Sequence, residues 1–190
     1  MVMTGTSSAP EAEVNKFMRR VFIVPMHQKC REHGVHQELS IVVPLGNGEG
    51  AKSILYRIAE NRRKFYLSKK VLNLRTEILP SRPEQADGSR RPLWVFEVDR
   101  HPALRDKLAA LILHAFTAVL PSTLQENQNR IATTYPERAE EYSPVLSDRI
   151  CSQEWVLCFI ELLLQHPDLR GGQGRLGELT RTINSQNFSS

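Results

Sequence analysis

Apolar and polar positions run in blocks along this chain, and the period of the blocks changes partway. Arg19–Pro25 (RRVFIVP) and Glu38–Pro44 (ELSIVVP) are short β-branched runs, each closed by a proline, and predict two strands. The polar stretch His27–Gln37 between them reads as a solvated loop. Lys52–Leu72 carries Ile54, Leu55, Ile58, Phe65 and Leu67 partly in helical register. It fits one long helix, or a strand over Ser53–Ile58 followed by a helix from about Glu60; periodicity does not separate short apolar runs. Thr76–Leu79 suggests a short strand, Pro80–Pro92 (PSRPEQADGSRRP) a loop, and Leu93–Val98 (LWVFEV) a clear strand ended by Asp99 and His101-Pro102.

Helical period then takes over. Ala103–Leu120 places Leu104, Leu108, Leu111, Ile112, Ala115, Phe116 and Val119 on one face, with Pro102 suited to a first turn and Pro121 to a stop. Pro136–Tyr142 predicts a short helix. Ser147–His166 predicts a strong one, capped at Ser147 or Asp148 and stopped by Pro167. That helix is apolar nearly all round, so it is expected to be buried or to dock a partner through Trp155, Phe159 and Leu163. The resulting expectation is an α/β (α+β) chain. It divides into a disordered leader at 1–17, one domain at 18–145, a C-terminal helix at 146–168 packed on or extending it, and a flexible tail at 169–190.

Composition narrows the class. With 190 residues and 41% hydrophobic content the chain is long enough for one sizeable core. Three cysteines (Cys30, Cys151, Cys158) make no disulfide scaffold and point to a reducing, cytoplasmic setting. Cys151 and Cys158 read as small buried apolar residues on one helix face. No run reaches about 18 apolar residues, and the first residues do not form a signal peptide. The net charge of +4 is unevenly spread: Met1–Arg75 holds 13 Lys/Arg against 6 Asp/Glu, the remainder 12 against 15. A polyanionic partner for the first half is the expectation that follows.

Candidate chemistry gathers at few places. Arg62, Arg63 and Lys64 follow an apolar run; at the start of a helix they would conflict with the helix dipole, and a phosphate would relieve that conflict. The alternative is a solvated basic helix face. Glu126 and Asn127, with Arg130 three residues on, offer hard oxygens for Mg²⁺ and a cation for phosphate, or equally a cap and surface triplet. Leu45–Ala51 (LGNGEGA) is glycine-rich but lacks the Lys-Ser/Thr of a P-loop. Glu97 and Asp99 would share one face of a strand and form a weaker metal candidate, as would the histidines His27, His33 and His36.

Two of these clusters stand in an order that resembles the ParB/sulfiredoxin superfamily. Tyr56-Arg57-Ile58-Ala59-Glu60-Asn61-Arg62-Arg63 is similar to the family's strand and Gly-Glu-Arg-Arg box, keeping both arginines but with Glu60 for Gly and Asn61 for Glu. Glu126-Asn127-Gln128-Asn129-Arg130, followed by the acidic Pro136–Glu140, is similar to its Glu-Asn-x-x-Arg box. The resemblance covers roughly Glu38–Tyr142 and favours the strand-then-helix reading of Lys52–Leu72. It implies a small mixed sheet with flanking helices. It also implies a nucleotide site of Glu60, Asn61, Arg62, Arg63, Lys64, Asn127 and Arg130, a metal held by Glu126 and Asn127, and catalysis by Arg62, Arg63 and Glu126. ATP, or CTP, and Mg²⁺ would be the cofactors. In size the chain also resembles the Osa-type fertility-inhibition proteins of conjugative plasmids. That likeness implies nucleotide hydrolysis, DNA cleavage and a type IV secretion or relaxosome component as partner. The departures at Glu60 and Asn61 leave the nucleotide base open and remove the cysteine of sulfinic-acid reduction. Non-catalytic DNA binding, and docking through the C-terminal helix, are the rival expectations.

Overall fold

A computed structural model describes residues 11–30, 34–45, 52–61, 64–73, 92–120 and 151–185. The elements are α1 (Glu11–Arg19), β1 (Arg20–Cys30), β2 (Gly34–Pro44), β3 (Lys52–Asn61), β4 (Lys64–Asn73), β5 (Leu93–Glu97), α2 (Pro102–Arg105), α3 (Leu108–Ala118), α4 (Ser152–Gln165) and α5 (Gln173–Ser185). The five strands form one sheet in the order β4-β3-β2-β1-β5. The α+β class expected from the sequence is the one observed. Every described pairing is antiparallel, so the sheet is not the mixed one that the resemblance implied.

The middle strands are buried on both faces, which is why their sequences read as unbroken apolar runs. Val21, Ile23, Leu39, Ile41 and Val43 point into a main core shared with α3, α4 and α5, while Phe22, Val24 and Val42 point into a second core on the other side. A bulge lies where β1 meets β5: Val21 pairs with Phe96 and Phe22 with Trp94, leaving Val95 as the extra residue. Both Val95 and Phe96 therefore enter the main core, and Trp94 stays against the second.

Helix α1 covers the second core. Val14, Phe17 and Met18 form a narrow apolar stripe on it, and the Phe17 ring stacks on Phe22 at 4.1 Å. The disordered leader expected over 1–17 is thus corrected: Glu11 onward is helical and anchored to the sheet. The tail expected beyond Arg170 is corrected too. Leu176, Leu179 and Ile183 of α5 are buried in the main core, and Gln153 Nε2 donates to the Ile183 carbonyl at 3.3 Å. Two glycines and several Ser, Thr and Asn residues give this segment low intrinsic helix propensity, which masked a stripe that tertiary packing stabilises.

In the helical layer, the expected helix Ala103–Leu120 is divided. α2 ends near Asp106, where the Lys107 N–H donates back to Leu104 at 3.0 Å, and α3 starts anew. Trp155 of α4 is fully buried and its Nε1 donates to the Ile112 carbonyl of α3 at 3.2 Å. Trp155, Phe159 and Leu163 are all core residues, so the expected docking surface on this helix is overturned. Among the described residues no helix is long and apolar enough to cross a membrane.

The seat of α4 is set by one bond. Ser152, at its first turn, accepts the Leu39 N–H of β2 at 3.0 Å in a buried position. Ser152→Ala should lower the unfolding free energy by about 1–3 kcal/mol, the usual effect of orphaning a buried donor. A reduced urea midpoint at unchanged slope would register it. Gly177→Ala tests α5 in the opposite direction. A Cβ there meets nothing within 4 Å, so the variant should gain about 0.5–1 kcal/mol in the same titration.

Candidate functional site

The region expected to open a helix with Arg62, Arg63 and Lys64 is a β-hairpin instead. β3 and β4 pair continuously from Lys52↔Asn73 to Asn61↔Lys64. Glu60 and Asn61 end one strand and Lys64 begins the next, so the helix that was to supply oriented N–H groups is corrected to extended backbone. The reason is legible afterwards. Phe65 and Leu67 alternate with Tyr66 and Ser68, matching the alternation of Ile54, Tyr56 and Ile58 on β3. Arg62 and Arg63 lie outside the described residues.

Where the hairpin leaves the sheet is equally defined. β2 pairs with β3 only from Pro44↔Ser53 to Ile41↔Tyr56, whereas β3–β4 pairing goes on through Arg57↔Ser68, Ile58↔Leu67, Ala59↔Tyr66 and Glu60↔Phe65 to Asn61↔Lys64. Beyond Tyr56, then, the hairpin is no longer paired to β2. Its helix-side face is closed: Tyr56, Ile58 and Phe65 are buried in the main core and Leu67 packs against it. The opposite face is open in part. It carries Arg57 across from Ser68, Ala59 across from Tyr66, and Leu55 across from Lys70, with Leu55 buried in the second core and Ala59 buried as well. Arg57, Tyr66 and Ser68 are half-exposed and Lys70 is exposed. Helix α1 packs over β1 and β2 on this side.

Charge is concentrated here. Residues 52–73 hold seven of the chain's 25 Lys/Arg (Lys52, Arg57, Arg62, Arg63, Lys64, Lys69, Lys70) and one of its 21 Asp/Glu (Glu60), a net +6 against +4 for the whole chain. Lys69 lies on the helix-side face with its Nζ 6.0 Å from the centre of the Tyr56 ring. The sequence excess in the first half is therefore mostly one hairpin.

The other predicted site residues divide as follows. Glu126, Asn127 and Arg130 lie outside the described residues, as do His33, the side chains of His27 and His36, and 46–51 of the glycine-rich stretch. The carboxylate pair at Glu97 and Asp99 is corrected. Val98–Arg100 is a 3₁₀ turn rather than strand. Glu97 Oε1 accepts from Arg20 Nε at 3.2 Å and Nη2 at 3.0 Å, and Oε2 faces Arg100 Nε at 2.9 Å. Among the described residues no group of three His, Cys, Asp or Glu is placed to hold a metal. Cys151 and Cys158 are free and half-buried. Burial, with Glu161 and Glu154 nearby, pushes the Cys158 thiol up, which keeps it protonated and unreactive.

Sequence reading missed a cation–aromatic cluster at the β5 edge. The Arg175 guanidinium of α5 stacks 3.4 Å from the Trp94 ring centre, with Arg20 at 4.9 Å, and Arg175 Nη2 donates to the Trp94 carbonyl at 3.0 Å. Burial lowers the Arg175 pKa from its ordinary value. Arg175 is distant in sequence and sits in a segment that looked like a tail, so no local signal marked it.

No family model, no curated protein and no solved structure matches this chain.

The Arg20 hydrogen bond, opposed by partial burial and reinforced by the charges of Arg100, Arg20 and Arg19, holds the Glu97 carboxyl below its ordinary 4.5. A depressed folded-state pKa contributes stability above the unfolded pKa and loses it as pH falls through the folded value. Glu97→Gln should therefore unfold at lower urea than the parent at pH 7, and the two midpoints should converge in acid. A gap that persisted in acid would rule out the charge as its origin.

Proposed function

We propose that this protein binds nucleic acid through the basic β3–β4 hairpin. The observation that supports this reading is the combination of geometry and charge. A hairpin with one face packed on the core and the other partly open carries net +6 in residues 52–73, while the rest of the chain is net negative. Lys and Arg side chains gathered on one hairpin recognise a phosphate backbone by charge, which gives affinity without requiring sequence readout. A random surface bias would spread such residues over several elements rather than gather them on one.

Hydrolysis of ATP or CTP with Mg²⁺, and DNA cleavage, remain part of the wider proposal that the two boxes motivate. Arg62, Arg63 and Lys64 would clamp phosphates, Glu126 and Asn127 would hold the metal, and Arg130 would offset charge on the transferring phosphoryl group. The binding reading rests on the sequence charge of residues 52–73 and on the described pairing of β3 with β4, and takes precedence over it.

Fluorescence anisotropy with labelled oligonucleotides across a salt series tests the binding reading. Affinity should fall steeply with salt, with a logarithmic slope of roughly 0.7–0.9 per phosphate contacted. Arg62→Ala/Arg63→Ala, and separately Lys69→Glu/Lys70→Glu, should weaken binding by about tenfold or more and flatten the slope, while circular dichroism stays that of the parent. Binding that is insensitive to salt and to both variants would sink the proposal. Mg²⁺-ATP, Mg²⁺-CTP and supercoiled plasmid in the same tubes score turnover and nicking; activity lost in the Arg62/Arg63 variant would extend binding to catalysis.

A further inference from the structure

We infer that the ligand of this hairpin is single-stranded nucleic acid, laid across the open face of β3–β4 with a base stacked on Tyr66. The inference deepens the nucleic-acid reading and rests on it. Three observations carry it. First, the helix-side face is closed by the burial of Tyr56, Ile58 and Phe65, so the ribbon is not free on both sides. A two-stranded ribbon that reads duplex DNA enters a major groove about 12 Å wide. This hairpin would have to unpack from the core to do so.

Second, the open face has an aromatic ring among cations and a hydroxyl. Tyr66 lies in the row next to Arg57 and Ser68, and Lys70 one row further. Rows along a strand are about 6.8 Å apart, so these groups span about 14 Å on one face, room for two or three nucleotides. Third, the residue directly across from Tyr66 is the small, buried Ala59, so the cross-strand neighbour leaves the ring half-exposed. A half-exposed ring with an arginine in the next row suits an unpaired base, whose π-face is accessible, and not a base inside a duplex. Arg57 and Lys70 supply the phosphate term on this face, and Tyr66 supplies the term that distinguishes strand from duplex.

The experiment compares labelled single strands of about 15 nucleotides, as DNA and as RNA, with a duplex of equal length. The proteins are the intact chain, Tyr66→Ala and Tyr66→Phe. The parent should prefer the single strand. Tyr66→Ala should weaken single-strand binding about 5- to 150-fold, the range for losing one base stack. Its salt slope should not change, because no phosphate contact is removed. Tyr66→Phe should bind like the parent, and duplex affinity should be indifferent to both variants. The DNA and RNA arms assign the sugar, and a preference for either supports the inference. Equal parent affinity for strand and duplex, or a Tyr66→Ala variant that folds and binds single strands like the parent, overturns it. Duplex binding that responds to the lysine and arginine variants but not to Tyr66 overturns this inference while leaving the nucleic-acid reading intact. Absence of binding to either form removes both.

Discussion

The hydrogen bond from the Leu39 N–H to Ser152 Oγ is the point on which the two layers depend. β3 stops pairing with β2 at Tyr56, so the inner part of β2 loses a neighbour while remaining buried. A buried amide without a partner is expensive, and the first turn of α4 supplies the acceptor. With α4 fixed there, Trp155 reaches the Ile112 carbonyl of α3, and Gln153 reaches the Ile183 carbonyl of α5. The helical layer is thus fixed to the sheet through Ser152 at β2 and Arg175 at β5 and tied within itself by the Trp155 and Gln153 bonds, while apolar burial of Trp155, Phe159, Ile160 and Leu163 supplies the bulk of its adhesion.

How far the fold could be read beforehand follows from which signals were local. Arg20–Pro25, Glu38–Pro44 and Leu93–Glu97 are dense in β-branched and aromatic residues, and α3 and α4 have long helical stripes; these parts were legible. The loop expected over His27–Gln37 is corrected, because β1 runs on to Cys30 and β2 starts at Gly34, and cross-strand pairing from His27↔Gln37 to Cys30↔Gly34 holds these polar residues in strands; the cap expected at Ser147 or Asp148 is corrected to Cys151, before a helix that starts at Ser152. The segment from Lys52 to Asn73 was not legible. Its inner-face residues alternate on each strand, but the two strands run out of phase with each other, so one sliding window sees neither period cleanly. The resemblance to a strand followed by an arginine box at a helix start then favoured a helix that cross-strand pairing overrides. α1 and α5 escaped for a simpler reason. Each buries two to three apolar residues from an otherwise polar segment, and only the partner surface makes that stripe significant.

The candidate site was legible in charge and not in shape. A count of Lys and Arg localises the basic excess to the first part of the chain without any structure. It does not show that Arg57, Tyr66, Ser68 and Lys70 share one face, since that depends on the Ala59↔Tyr66 register. A shift of one residue in that register would bury Tyr66 and expose Phe65. The buried contacts of Ile58 and Phe65 in the main core hold the register in place. The apolar core therefore decides which polar groups reach solvent.

The two edges of the sheet are protected by different means. At β5, Arg175 takes the Trp94 carbonyl and lies over its ring, so the edge is physically closed by the chain's own C-terminal helix. At β4, the other edge among the described residues, protection comes from Lys69 and Lys70, beside an exposed Val71. Two β4 edges approaching each other would bring like charges together, and that repulsion opposes edge-to-edge association. Added counter-charge at the lysines weakens the repulsion. A bound polyanion would cancel it and leave a hydrogen-bonding edge flanked by an apolar residue. If the hairpin takes the polyanion proposed for it, occupancy of the hairpin and self-association along β4 would draw on the same few charges, and the concentration of ligand would set how sticky this edge is.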